Sequence, residues 1–240
     1  VGDETFTVAA AQPQVDAGAL HLNAERHARA IREANARLVV FPELSLTGYE
    51  LGAPAVALDD PRLALILTAC RETQSVALVG APVDEDGRLH IAMLRFDTAG
   101  VRVVYRKTWL HADESDRFTP GPGAETTTVD GWTIGLAICR DTGASQHTAQ
   151  LALLGVDLYA AGVVDLATDL VECQSRAFVI SRALRAPVVI ASFAGPTAPS
   201  FTRTAGHSAV YDASGTPLVE ADDVPGRIVA ARLSRVTQVP

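Results

Sequence analysis

The chain has 240 residues, of which 48% are hydrophobic, and 20 Lys+Arg against 28 Asp+Glu give a formal net charge of -8. A globular chain of this size buries roughly 70 to 75% of its unfolded surface, enough for one large core, and an acidic balance without a Lys/Arg run argues against nucleic acid as a partner. No apolar stretch reaches the roughly 18 residues of a membrane helix, and none follows a charged leader at the start, so neither a membrane span nor a signal peptide is expected.

The cysteines are Cys70, Cys139 and Cys173, an odd number with wide spacing. They predict no disulfide framework and no zinc site. They fit a reducing, cytoplasmic compartment in which one thiol is free to act as a nucleophile.

Strand-length apolar runs alternate with amphipathic helical segments along the chain. Thr5 to Ala11 reads as a strand, and Leu20 to Ala36 as a helix with Leu20, Ala24, Ala28 and Ile31 near 3.6 spacing. Leu38 to Phe41 is a short buried strand ended by Pro42. Pro61 to Thr73 is predicted helical, with Pro61 suited to the first turn, and Val76 to Gly80 is the next strand. Leu89 to Phe96, the turn Asp97-Thr98-Ala99-Gly100 and Val101 to Tyr105 predict a hairpin, read as an antiparallel insertion. Trp132 to Ile138 (strand), Ser145 to Leu154 (helix), Asp157 to Ala160 (strand), a helix within Asp165 to Leu184 and Val188 to Ser192 (strand) follow. Ser208 to Tyr211 and Pro217 to Glu220 predict a second hairpin, and Arg227 to Leu233 a last strand. This rhythm predicts an α/β chain with a mixed sheet layered by helices. No linker, low-complexity tract or repeat interrupts it, so a single domain over residues 1–240 is expected.

Three polar residues stand at strand exits, where open α/β sheets place their sites. Cys139 ends the strand Trp132 to Ile138, and by period two it shares a small-residue face with Thr133, Gly135 and Ala137. Glu43 follows Leu38 to Phe41 through Pro42, and Lys107 follows Val101 to Tyr105. Singly, each has an ordinary structural reading: a buried thiol, a helix-start charge, a solvated ammonium. Together they supply a nucleophile, a base to take its proton, and a cation that favours thiolate and oxyanion.

Around these residues the sequence resembles the nitrilase superfamily of carbon-nitrogen hydrolases. The resemblance is carried by Phe41-Pro42-Glu43-Leu44-Ser45-Leu46-Thr47-Gly48-Tyr49, Tyr105-Arg106-Lys107-Thr108-Trp109-Leu110 and Leu136-Ala137-Ile138-Cys139-Arg140-Asp141. It extends to Gly206-His207-Ser208 and Asp212-Ala213-Ser214-Gly215, nearly the whole chain. It implies an α-β-β-α sandwich with mixed β-sheets that pairs as a homodimer. It also implies Glu43 as general base, Lys107 as oxyanion-stabilising cation and Cys139 as nucleophile. The second glutamate of many members maps to Glu114, with Asp113 as its rival. Tyr49, Trp109 and Arg140, neighbours of the three, are candidate substrate-binding residues. The implied reaction cleaves a small-molecule amide through a cysteine thioester, with no metal or organic cofactor.

The chain also departs from the family pattern. Gly143-Ala144-Ser145-Gln146 stands where many members carry Arg-Phe-Pro-Glu, and Arg182-Ala183-Leu184 continues with Arg185-Ala186 where a Glu-Asn pair is common. A roomier or reshaped pocket is expected, with Arg140 as a compensating cation. The alternatives are a nitrilase or N-carbamoyl hydrolase on the same scaffold, or a catalytically silent binding protein. Against the first, the chain lacks the long C-terminal extension associated with true nitrilases, and intact Glu43, Lys107 and Cys139 speak against the last. A papain-like or caspase-like pairing of Cys139 with His207, His90 or His111 lacks either family's local signature. His21, His27 and His147 are read as solvated helix residues, and Asp141 as either a turn cap or a substrate contact.

Overall fold

The computed structural model describes residues 5–198 and 201–235. Two six-stranded mixed sheets lie face to face with helices on their outer sides, the α-β-β-α sandwich expected, in a single domain.

The first sheet is built from β1 (Thr5–Gln12), β2 (Leu38–Val40), β3 (Val76–Glu85), β4 (Arg88–Asp97), β5 (Gly100–Arg106) and β12 (Arg227–Ser234). Their order is β12-β1-β2-β3-β4-β5, parallel from β1 to β3 and antiparallel elsewhere. Its inner strands are apolar without a break because both faces are covered. Val8, Leu38, Val40 and Leu78 turn toward the second sheet, while Ala9, Val39, Phe41 and Val79 pack under α1 (Leu20–Ala34) and α2 (Ala64–Thr73). The hairpin expected as an insertion instead forms the edge of this sheet, because β3 runs on to Glu85 and pairs with β4 throughout.

The second sheet has the order β11-β10-β9-β8-β7-β6. Its strands are β6 (Thr126–Val129), β7 (Trp132–Ile138), β8 (Leu158–Val163), β9 (Val188–Ser192), β10 (Ala209–Tyr211) and β11 (Pro217–Glu220). The parallel pairs β7-β8 and β8-β9 are joined by α4 (Ser145–Leu154) and α5 (Leu170–Leu184). The small face of β7 lets α4 sit close: a Cβ on Gly135 would lie 3.1 Å from the Leu151 side chain.

The sequence reading missed β6, whose Thr126-Thr127-Thr128 run lacks apolar alternation, and the single turn α3 (Ala112–Ser115), too short for helical periodicity. It also misplaced two histidines. His27 is buried, with Nδ1 bonded to Asn23 O and Nε2 to Ser45 Oγ, and burial pushes its pKa down to about 4. His147 is buried as well, its Nε2–H donating to Leu136 O at 2.9 Å. Both lie on the inner faces of their helices, which alanine-rich surroundings concealed. His21 is exposed, as expected.

Candidate active site

The exits of β2, β5 and β7 meet, as their positions in the two sheets require. After β2 the chain turns at Pro42-Glu43, with Leu44 in the left-handed region at φ 51°. Two glycines let this turn pass between the sheets. A Cβ on Gly80 of β3 would lie 2.4 Å from Pro42 O, and one on Gly162 of β8 would lie 2.5 Å from Phe41 O. Glu43 is thereby held with no exposed surface.

Lys107 is anchored through its backbone, donating to Ile91 O at 2.8 Å and accepting from Gly121 N at 2.9 Å. Its side chain is fully buried, and Nζ donates to Glu43 Oε1 and to Glu114 Oε1, both at 2.7 Å. Glu114, on α3, also accepts from the Tyr49 hydroxyl at 2.5 Å and the His111 backbone N–H at 2.8 Å. Asp113 is exposed on the same turn, so Glu114 is the carboxylate that joins the cluster.

Cys139 lies one residue beyond β7, where the chain enters a 3-10 turn, Cys139–Gly143. Its φ of 43° puts it in the left-handed region, so the strand alternation stops at Ile138 and the thiol is re-aimed. Sγ points toward Val164 O at 3.4 Å, just past the end of β8. Asp141 is buried and does not line the cavity, so of its two readings the cap holds: it accepts from the Ile138 N–H at 2.9 Å.

A cavity of about 490 Å³ opens over Cys139, with Trp109, His111, Arg140, Arg176 and Phe201 in its walls. Glu43 and Lys107 are fully buried and do not line this cavity, but both lie near enough to Cys139 for their charges to act on its thiol. Trp109 and Arg140 face the cavity, Arg140 donating to Leu110 O at 2.7 Å. Tyr49, expected beside them, stands a layer back, its ring against Phe201 at 4.8 Å and its hydroxyl committed to Glu114. Gly143 leaves room as expected, and Arg176 of α5 fills part of it: its Cδ lies 3.8 Å from where a Gly143 Cβ would be. Arg176 pairs with Asp165 at 2.7 Å in the cavity wall. Arg176, Asp165 and Phe201 escaped the sequence reading because they lie far from the motifs and only tertiary packing brings them in, whereas His111, weighed there only as a partner for Cys139, directly follows the Lys107 motif.

Electrostatics follow from this burial. Burial pushes the Glu43 carboxyl up to about 8, with Glu114 and Asp141 adding to the rise and Lys107 opposing it. For Glu114, burial is outweighed by the Lys107 charge and by donors from Lys107, Tyr49 and His111, so its pKa is lowered. Burial alone would neutralise Lys107, but Glu43, Cys139 and Glu114 reverse that and hold it protonated. Burial and then the Glu43 charge keep the Cys139 thiol well above its ordinary value, with Lys107 opposing. Among the described residues, Oε2 of Glu43 is one of the buried polar atoms without a hydrogen-bond partner, as is Nε of Arg176 in the cavity wall. The arrangement is a neutral thiol at a cavity floor, backed by a high-pKa carboxyl with a free oxygen and by a fixed ammonium.

Known proteins share this architecture. The chain is 33% identical over 141 residues to a hydrolase encoded in the pqqF 5' region of Pseudomonas protegens, covering 55% of this chain and 50% of that protein. It is 30% identical over 125 residues to an (R)-stereoselective amidase from Pseudomonas sp., covering 50% and 46%. The chain spans about half the length of these curated relatives. A branch 10 member of the nitrilase superfamily from Saccharomyces cerevisiae superposes with a TM-score of 0.84 at 20% identity, covering 96% of this chain and 90% of that one. An amidase from Nesterenkonia sp. gives 0.81 at 20% identity, covering 98% and 92%. A family model described as carbon-nitrogen hydrolase matches residues 7–240. With that match over nearly its whole length, the chain belongs to the carbon-nitrogen hydrolase family.

Proposed function

We propose that this chain hydrolyses the carbon-nitrogen bond of a small amide through a thioester on Cys139. Oε2 of Glu43 takes the thiol proton as sulfur attacks the amide carbonyl, and the C=O pair becomes an oxyanion held by Lys107 Nζ and the Arg140 backbone N–H. The oxyanion collapses, the C–N bond breaks, and protonated Glu43 gives its proton to the leaving nitrogen. Water then gives a proton to Glu43 as its oxygen attacks the thioester, and collapse returns that proton to sulfur and releases the acid. Glu114 holds Lys107 from the other side. Every step uses groups of this chain and water.

The observation that carries the reading is the orphaned Oε2 of Glu43, whose partner oxygen is fixed on Lys107. A buried carboxylate oxygen without a donor is costly in a core and useful beside a nucleophile. A solved structure of a glutamate-to-glutamine mutant of the Nesterenkonia sp. amidase carries the acetamide moiety of fluoroacetamide on its active-site cysteine, which supports a nucleophilic role for a cysteine here.

A panel of primary amides, carbamoyl compounds and nitriles, assayed for released ammonia, tests this. Amide hydrolysis that the Cys139→Ala variant lacks is expected. Turnover of nitriles or carbamoyl compounds alone, or of none, would count against it.

The same reading extends to a two-fold homodimer acting in the cytoplasm. Leu153, Val171, Phe178 and Val179 are exposed on α4 and α5, an apolar face that a second copy would cover. Sedimentation at micromolar concentration checks it, and a monomer would count against it. No helix among the described residues is long and apolar enough to cross a membrane.

A further inference from the structure

Two backbone segments bring the proposed chemistry together, one leaving β5 with Lys107 and one leaving β7 with Cys139. A single side chain grips both. Oδ1 of Asp141 accepts from the backbone N–H groups of Trp109 at 2.9 Å and Thr108 at 3.3 Å, the two residues after Lys107. Oδ2 accepts from the backbone N–H of Ile138 at 2.9 Å, the residue before Cys139, and from the Tyr105 hydroxyl at 2.7 Å, two residues before Lys107. The carboxylate is fully buried, and the His147 ring packs behind it, 5.3 Å from Trp109 and 5.8 Å from Tyr105. Turning it to release one segment would strand N–H groups of the other beside a fully buried side chain.

We propose that Asp141 is a positioning residue that fixes the Cys139 turn against the Lys107 segment, so that thiol and ammonium keep one distance through the reaction. The inference rests on the proposed roles of Cys139 and Lys107. Asp141 does not line the cavity, so it acts through those residues and not on substrate.

The four donors require a carboxylate. Asparagine offers one acceptor oxygen, and its amide group must then face either the Ile138 N–H or the Trp109 N–H, two donors meeting. Tyr105 can rotate its hydroxyl to accept, but a backbone N–H cannot. Asp141→Asn therefore frees one of the two segments whichever way the amide turns, while side-chain volume is kept. It also removes a negative charge that raises the Glu43 carboxyl, a group facing Lys107, Glu114, Tyr49 and Cys139 as well.

The test compares the full chain with Asp141→Asn and Tyr105→Phe in two assays. One measures kcat and KM on the best primary amide, per folded protein. The other measures alkylation of Cys139 by iodoacetamide across pH, read by mass spectrometry. For Asp141→Asn, kcat is expected to fall about 100-fold with KM within about threefold, the cost of misplacing reacting groups by an ångström. Its rate of Cys139 alkylation should change, with the pH limb moved to lower pH. Tyr105→Phe keeps the charge and three of the four donors, so a loss of about three- to tenfold in kcat and a changed rate of Cys139 alkylation, with the pH limb unmoved, are expected. If Asp141→Asn does not fold, Tyr105→Phe decides: parental kcat and an unchanged alkylation profile would overturn the inference. So would Asp141→Asn losing only folded fraction, with kcat and alkylation per folded molecule unchanged. If the parent turns over no amide, the proposed function falls, and the alkylation assay still decides the role of Asp141.

Discussion

Lys107 Nζ sits 2.7 Å from Oε1 of Glu43, while Oε2 of the same carboxylate, equally buried, has no partner. In the proposed mechanism the ammonium thus fixes one oxygen in structure and leaves the other to take the thiol proton.

Replacing Cys139 by alanine removes the proposed nucleophile while adding no strain, since either residue meets the same left-handed backbone. Turnover should fall at least about 10⁴-fold, with the melting temperature within about 4 °C of the parent. Steady-state assay and thermal melting check both halves.

In the proposed mechanism Glu43 must be ionised to accept the thiol proton, and burial pushes its carboxyl up to about 8. Activity should therefore rise with pH, by about tenfold per unit below that value, and level off above it. Glu43→Gln should remove this limb and lower kcat by at least about 100-fold. A pH profile of kcat/KM checks both expectations.

The same shift has a stability consequence of opposite sense to an ordinary salt-bridged carboxylate. Glu43 is raised from 4.5 to about 8, so the folded state holds a proton that the unfolded chain has released. Its contribution is full below 4.5 and is lost as pH rises through about 8. Glu43→Gln should accordingly gain stability relative to the parent between those limits, read as the difference in melting temperature along the pH series.

Glu114 raises the Glu43 carboxyl and holds the far side of Lys107. Glu114→Gln should move the activity limb to lower pH and reduce kcat, because Nζ loses a charged acceptor. An unmoved limb would place Glu114 outside the electrostatic cluster.

The fold was legible wherever one period dominated. The β7 strand, α4 and β9 fall at the sequence-predicted boundaries because each is a regular run bounded by turn residues. The convergence of Glu43, Lys107 and Glu114 was readable only through the motif resemblance. No local pattern tells that the β2 and β5 exits meet between two sheets. The cavity wall was least legible: Arg176 comes from mid-α5, and its approach to Gly143 depends on helix packing rather than on spacing. Nor could alternation reveal that Cys139 leaves the strand with positive φ.

Gly162 offers a structural check on this arrangement. An alanine there would press its Cβ 2.5 Å from Phe41 O and 3.0 Å from Glu43 N. Gly162→Ala should lose about 1 to 3 kcal/mol of stability and displace Glu43, with a fall in kcat beyond the lost folded fraction. Chemical denaturation and assay of the folded fraction read both effects.

The thioester is tested most directly by quenching the reaction in acid within its first turnovers and weighing the peptide that contains Cys139. The expected result is that peptide heavier by the acyl group of the amide, with the adduct disappearing as substrate is exhausted. Amide hydrolysis with an unmodified Cys139 peptide at every time point, together with undiminished turnover by Cys139→Ala, would contradict it.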